Sequence, residues 1–251
     1  MHTDDGHRLE VERIAGRTPT LVFLHEGLGC VARWRDFPRA VAAATDHAAL
    51  VYSRRGYGQS EAAPRPWPLT FMHDEARREL PALLARQGIA DVVLIGHSDG
   101  ASIALVHAAE AGRAVRGVVA MAPHVFVEDV CVRAITALRG QFQDPATEVR
   151  TKLGKHHADV DGAFLGWAGA WLDPDFRRWD LTGLLPGVRA PVLVIQGDRD
   201  EYGTLAQVDA VCAGVSGPAS RLVLSDCGHV PQRDQSQETL AAVVRFVGGL
   251  G

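Results

Sequence analysis

The sequence is short of several things, and each shortage removes a class of function. It has 4 cysteines in 251 residues, Cys30, Cys131, Cys212 and Cys227, widely spaced and with no C-x-x-C pair. Neither a zinc site nor a disulfide framework is expected, and reduced thiols in the cytoplasm are. No apolar run approaches the ~20 residues of a membrane span. The first residues, Met1 to His7, are polar and acidic and lack the charged-then-apolar layout of a secretory signal. Basic charge is not in surplus: the formal net charge of -4 leaves no footprint for nucleic acid and no polybasic patch for a membrane. Aromatics make up 6% of the chain, so any local concentration of them carries information. No internal repeat or low-complexity segment is present.

What remains is a chain with 47% hydrophobic residues, long enough for one large α/β domain with room for an insertion. Arg8 to Ile14 alternates charged and apolar residues, the pattern of a half-exposed antiparallel edge strand. Leu21–Leu24, Val92–Ile95 and Pro191–Gly197 read as buried strands, and Ala48–Tyr52, Val115–Ala122 and Arg221–Leu224 as the other strands of the sheet. Helical patterns separate them. One from about Phe71 to Gln87 begins at Thr70 as a plausible N-cap and is interrupted by Pro81, which predicts a kink or break. Thr204 is the expected N-cap of a helix running to about Val215. A last amphipathic helix from about Gln235 to Phe246 would bury Leu240, Val243, Val244 and Val247.

The stretch that organises the rest is Val92 to Leu105, a strand and a helix joined by Gly96-His97-Ser98-Asp99-Gly100. A turn that sharp holds its central residue in a strained backbone conformation, and only small residues fit two positions to either side. The geometry presents the Ser98 hydroxyl at the carboxyl end of the sheet, with the Asp99 N–H in the first helical turn aimed at a developing oxyanion. This G-x-S-x-G stretch resembles the nucleophile elbow of the α/β-hydrolases of serine type.

That resemblance implies an α/β-hydrolase fold, with a mostly parallel central sheet and helices on both faces, and further site residues follow from it. The loop after Leu21–Leu24, His25-Glu26-Gly27-Leu28-Gly29, is similar to the family's oxyanion loop, and Gly27 N–H is the candidate second donor. Glu26 departs from the pattern, which usually has Gly there. A carboxylate beside an oxyanion opposes it, so an ion pair with Arg54 or Arg55 is expected, with a recognition role for a cationic or hydroxylated substrate as the alternative. Ser53 to Ser60 resembles the family's D-x-R-G-x-G-x-S loop, with Ser53 replacing the Asp. Serine needs a base and an acid to orient it, in the family order Ser, acid, His. His229 follows the last strand in a Gly-His pair, and Gly197-Asp198-Arg199-Asp200 matches the family's G-x-x-D with Asp200, leaving Asp198 as runner-up. The alternative acid position, after the strand at Val115–Ala122, holds Pro123-His124 and offers no carboxylate.

Between residues 124 and 189 the strand–helix alternation stops. The expectation is a helical cap inserted into a hydrolase core of residues 1–123 and 190–251. It carries the concentration of aromatics, Phe164, Trp167 and Trp171 among them at i, i+3, i+7, which would dock the cap and roof an apolar pocket, making Trp167 and Trp171 candidate substrate contacts. His156-His157-x-Asp159-x-Asp161 has the look of a metal cluster, but Asp161 reads better as the N-cap of the aromatic helix, and no metal is expected.

The resemblance therefore implies a cofactor-free serine hydrolase acting on a small ester, lactone or thioester with an apolar acyl part. Its partners would be that small-molecule acyl substrate and, at most, a second copy of the chain in a homodimer. Two alternatives stay open: a C–C bond hydrolase of aromatic degradation using the same triad, and a non-catalytic small-molecule binding protein on the same scaffold. Family members that hydrolyse epoxides or haloalkanes place Asp at the nucleophile position. Asp99 stands one residue out of that register.

Overall fold

Seven short runs rich in Val, Ile and Leu form one twisted sheet in the computed structural model, which describes residues 7–111 and 114–250. The strands are β1 (Glu10–Ile14), β2 (Arg17–Leu24), β3 (His47–Ser53), β4 (Val92–His97), β5 (Val115–Met121), β6 (Val192–Gly197) and β7 (Ala219–Leu224). Their spatial order is β1-β3-β2-β4-β5-β6-β7, and only β1 runs antiparallel, against β3. The polar Met1 to Gly6, whose composition argued against a secretory signal, lie outside the described residues.

Successive side chains of a strand face opposite ways, so a run apolar at every position needs cover on both faces. Val22, Leu24, Leu50 and Leu94 join one buried cluster with the helix Asp99–Glu110, while Leu21, Phe23, Val51, Val93 and Ile95 join another with the helices Phe37–Thr45 and Ser236–Gly248. The chain winds to one side of β2 with β3 and to the other with β4. That reversal opens a crevice at the carboxyl ends of β2 and β4, where open α/β sheets bind ligands.

The Pro81 interruption takes a definite form. Residues 71–87 stay helical, but Glu75–Glu79 widen into a π turn between the helices Phe71–Asp74 and Leu80–Gln87. The proline ring would meet the carbonyl four residues back, at Arg77, and the wider turn moves that carbonyl aside. Thr70 makes no capping bond to the backbone; its hydroxyl donates to Asp74 Oδ2 at 2.7 Å. Thr204 does cap its helix, accepting from Ala206 N–H at 3.2 Å. On the last helix Val243 and Val247 are fully buried, whereas Leu240 and Val244 are half-buried and Thr239 takes the remaining buried position.

Residues 124–189 hold the helices Asp129–Gln143, Val149–Gly154 and Val160–Trp171 and two 3-10 turns, Pro174–Arg178 and Thr182–Gly187. One isolated antiparallel bridge, Phe126 to Asp180, draws the two ends of the segment together. Its aromatics pack on each other: Phe142 stacks on Phe164 at 3.8 Å, and Trp171, Phe176 and Trp179 form a second group at 5.0 to 5.9 Å. The cap of the Val160–Trp171 helix is Asp159, not Asp161: Asp159 Oδ1 accepts from Gly162 N–H at 2.8 Å, the N-cap to N3 bond. Asp161, inside the first turn, pairs instead with Arg150 at 2.6 Å. His157 bridges two loops, through Gly58 N–H at 2.9 Å and the Leu28 carbonyl at 3.1 Å. These residues thus have partners of their own, and no group of three metal-ligating side chains gathers among the described residues.

Candidate active site

The backbone dictates the turn at Ser98. Its φ of 54° and ψ of -121° lie outside the regions open to ordinary residues, and its N–H is held by the Met121 carbonyl at 2.8 Å. A Cβ on Gly96 would fall 2.3 Å from the Gly100 carbonyl oxygen, and one on Gly100 would fall 2.0 Å from the Leu24 carbonyl oxygen. Both collisions are with main chain, which no rotamer change relieves. The strain therefore fixes where the Ser98 hydroxyl stands, at the crevice between β2 and β4.

Two loops from the far half of the chain reach that hydroxyl. His229, in the loop after β7, places Nε2 2.9 Å from Ser98 Oγ and Nδ1 2.8 Å from Asp200 Oδ2. Asp200 Oδ1 also accepts the N–H groups of Tyr202 at 2.7 Å and Gly203 at 3.2 Å, while Gln196 Nε2 donates to Oδ2 at 2.8 Å. Burial works against charge on both partners, but their hydrogen bond and mutual attraction prevail. Asp200 is held below the usual carboxylate range and His229 above the usual imidazole value. Asp198 goes elsewhere: its Oδ1 accepts from Cys227 N–H at 3.4 Å, tying the loops after β6 and β7 together.

The His25–Gly29 loop lies across the crevice. Arg54 donates to the carbonyls of His25 and, at 3.2 Å, Glu26, and the Glu26 carbonyl also receives His25 Nδ1 at 2.7 Å. A trans peptide points its N–H opposite its C=O, so turning the Glu26 carbonyl toward Arg54 turns the Gly27 N–H away from it. Gly27 and Asp99 both line the cavity that contains Ser98.

The expected partner of Glu26 was Arg54 or Arg55; the structure corrects this. Arg54 is spent on carbonyls, and Arg55 lies 3.4 Å from Glu61. Glu26 instead pairs with Arg33 at 3.2 Å, and its Oε2 sits 3.4 Å from His97 Nδ1. Burial would raise the Glu26 carboxyl, but the His97 contact and the nearby Arg33 guanidinium hold it well below its ordinary value. Arg33 was overlooked because it sits on a 3-10 turn, Val31–Trp34, whose path back over the loop has no sequence signature. His97 was also overlooked. It is fully buried, and its Nε2 donates to the His229 carbonyl at 2.6 Å, so the residue beside the serine braces the loop of the histidine. Its place inside the G-x-S-x-G stretch was the available signal.

A cavity of about 300 Å³ opens over Ser98 and His229. Trp167 and Trp171 line it, as does Glu26, and Ile135, Leu138 and Leu153 supply apolar wall. His124 adds a buried imidazole packed on Trp171; burial, with His229 nearby, lowers it to about 3 and keeps it neutral. A second cavity of about 500 Å³, lined by Arg33, Arg35 and Arg233, adjoins the first and shares Glu26, Arg33, Val230 and Arg233 with it. The arrangement offers a hydroxyl with a general base in contact, an acid behind that base, and a partly apolar chamber.

Comparison with known proteins agrees with this fold. The sequence matches the alpha/beta hydrolase family over residues 21–243. Among solved structures, the enol-lactonase from Burkholderia xenovorans LB400 superposes with a TM-score of 0.79 at 19% identity, covering 98% of each chain. An esterase from Exiguobacterium antarcticum superposes with a TM-score of 0.76 at 18% identity, covering 98% of this chain and 97% of that one. Epoxide hydrolase A from Mycobacterium tuberculosis (strain ATCC 25618 / H37Rv) is 32% identical over 76 residues, which is 30% of this chain and only 24% of that protein's length.

Proposed function

The chain belongs to the alpha/beta hydrolase family, and from that premise we propose that it is a serine hydrolase cleaving a small carboxylic ester, lactone or thioester through an acyl-enzyme on Ser98. The observation that carries the reading is the unbroken run of contacts from Ser98 Oγ through both ring nitrogens of His229 to Asp200. In this reading Asp200 fixes the tautomer with the proton on Nδ1, leaving the Nε2 lone pair for the serine proton. As His229 takes that proton, Ser98 Oγ attacks the acyl carbon. The oxyanion rests on the N–H groups of Gly27 and Asp99, the latter one of the unpaired donors that begin a helix.

His229 then gives its proton to the leaving oxygen or sulfur. Water enters, gives a proton to the same Nε2, attacks the acyl carbon and releases the carboxylic acid, with Ser98 recovering its hydrogen. The protein needs no cofactor for this sequence. The helical segment 124–189 acts as a cap, with Trp167 and Trp171 as its contribution to the substrate chamber and Glu26 at the edge of it. Among the described residues no helix is long and apolar enough to cross a membrane, and all four cysteines are free thiols, which suits a cytoplasmic site of action.

A fluorophosphonate probe tests the reading, because an activated serine beside oxyanion donors attacks phosphorus. The expected result is one covalent adduct on Ser98 by mass spectrometry, absent in Ser98→Ala. A native protein that acquires no adduct would instead be a binding protein on this scaffold.

A further inference from the structure

The chamber over Ser98 is not uniformly apolar, and three of its buried polar atoms, Asp99 Oδ2, Trp167 Nε1 and His124 Nδ1, have no partner. Asp99 is 1% exposed. Its Oδ1 accepts the Trp171 indole N–H at 3.2 Å, while its Oδ2 has no hydrogen bond. Trp167 is 6% exposed and its indole N–H is also without an acceptor. Both residues line the same cavity as Ser98 and His229. A buried polar atom left unpaired costs about 1–3 kcal/mol, so folded proteins seldom keep several in one cavity unless something else meets them.

Their positions are linked by the helix Val160–Trp171. Residues four apart share a helix face, so Trp167 and Trp171, which holds Asp99, present their side chains from one face with Cβ atoms about one turn, ~5–6 Å, apart. Trp167 Nε1 also lies over Gly27, 2.1 Å from where a Cβ there would be. Beside the His124 ring, whose Nδ1 is also unpaired, the chamber thus presents a free acceptor, Asp99 Oδ2, and a free donor, Trp167 Nε1, in the cavity that holds Ser98. A hydroxyl both donates and accepts and complements the pair. An ammonium has no lone pair for the indole, and a carbonyl has no hydrogen for the carboxylate.

We propose that Asp99 Oδ2 and Trp167 Nε1 form a recognition site for a hydroxyl carried within a few bonds of the scissile carbonyl, so that the substrate is a hydroxylated ester, lactone or thioester. This deepens the hydrolase reading and rests on it. It adds a hydroxyl, on the acid or the alcohol part, to the substrate with an apolar acyl part expected from the sequence. Burial raises the Asp99 carboxyl to about 6, with Arg54 and the Trp171 bond pulling the other way, so above that pH it is the acceptor the pair requires.

The test compares kcat/KM, by pH-stat at pH 7.5, for methyl butanoate, methyl 3-hydroxybutanoate, 2-hydroxyethyl butanoate and methyl 3-aminobutanoate. The expected result is a preference of about ten- to a hundredfold for one hydroxylated ester over methyl butanoate, since the plain ester leaves both groups unpaired. The two hydroxylated esters tell whether the hydroxyl belongs to the acid or the alcohol part. That preference should fall towards unity in Asp99→Ala and in Trp167→Phe, and the second variant decides if the first does not fold. Equal turnover of all neutral esters would overturn the proposal while leaving the hydrolase reading intact, and preference for the amino ester would overturn the hydroxyl assignment. If no ester is turned over and no probe labels Ser98, the hydrolase reading itself has failed. Tryptophan fluorescence of Ser98→Ala still reports then: tighter binding of methyl 3-hydroxybutanoate than of methyl butanoate supports the recognition pair, and equal binding rejects it.

Discussion

Two glycine-bearing turns meet at Ser98, and they are constrained in different ways. At the elbow a Cβ on Gly96 or Gly100 would strike main-chain atoms, whereas at the His25–Gly29 loop a Cβ on Gly27 would strike the Trp167 ring and one on Gly29 the Glu26 carboxylate. The first turn is shaped by backbone, from a strand and helix contiguous with it and from the neighbouring β2. The second is shaped by side chains, one of them from the helix Val160–Trp171, more than a hundred residues away. A turn of the first kind writes its requirement into its own sequence. One of the second kind accepts whatever its distant neighbours leave room for, which is how a glutamate comes to stand at position 26.

The largest effect should come from breaking what the elbow delivers. Asp200→Asn leaves Ser98 in place but removes the charge that orients His229, and kcat should fall by about 10⁴-fold. Asp198→Asn, whose carboxylate only ties two loops, should stay within a few-fold in the same steady-state assay. Equal losses would transfer the acid role to Asp198.

Next come the glycines themselves. Gly100→Ala should destabilise the protein by about 3 kcal/mol in urea unfolding and abolish probe labelling, because main chain has to move. Gly27→Ala should keep the fold and slow turnover by about 10²-fold by displacing the N–H proposed as an oxyanion donor. Pairing it with Trp167→Leu should restore probe labelling, since the obstacle is one side chain. Rescue of Gly100→Ala by any side-chain truncation would erase the distinction between the two turns.

A pH profile sharpens the comparison on the histidine side. His229 must be neutral to take the serine proton, and its bond to Asp200 holds its pKa above the ordinary 6.5. Activity is then full above that raised value and lost as pH falls through it, so the acid limb of kcat/KM should lie above 6.5. In Asp200→Asn the hydrogen bond to a carboxylate is gone and burial dominates, moving the limb of the residual activity to lower pH. A limb that does not move would detach Asp200 from the titration.

The smallest effect belongs to Glu26. Its ion pair with Arg33 is part-exposed, so Glu26→Gln should cost no more than about 1 kcal/mol and lower Tm by about 2–4 °C, with all substrates affected alike. A rise in KM confined to a cationic or polyhydroxylated substrate would show instead that Glu26 reads the substrate.

By itself the sequence determined what depends on chain-local geometry. The inner strands are legible because burial on both faces demands continuous apolar runs, the first edge strand because its charged and apolar residues alternate, and the elbow because a sharp strand-to-helix turn demands Gly96 and Gly100. His229 and Asp200 are legible only through the family resemblance, which implies an acid after the penultimate strand and a histidine after the last, and their contact with each other belongs to the structure. Local rules also misplace a residue when two candidates stand close together: Asp161 looked like the cap, yet Asp159 is the one spaced to reach the free N–H of Gly162. Tertiary structure alone decided what lies between loops: that Arg33, not Arg54 or Arg55, answers Glu26, that His97 braces the loop of His229, and that Asp99 and Trp167 line one cavity with an unpaired atom apiece. Hydrogen bonds between side chains far apart in the chain depend on where helices dock, and no spacing within a single stretch records that.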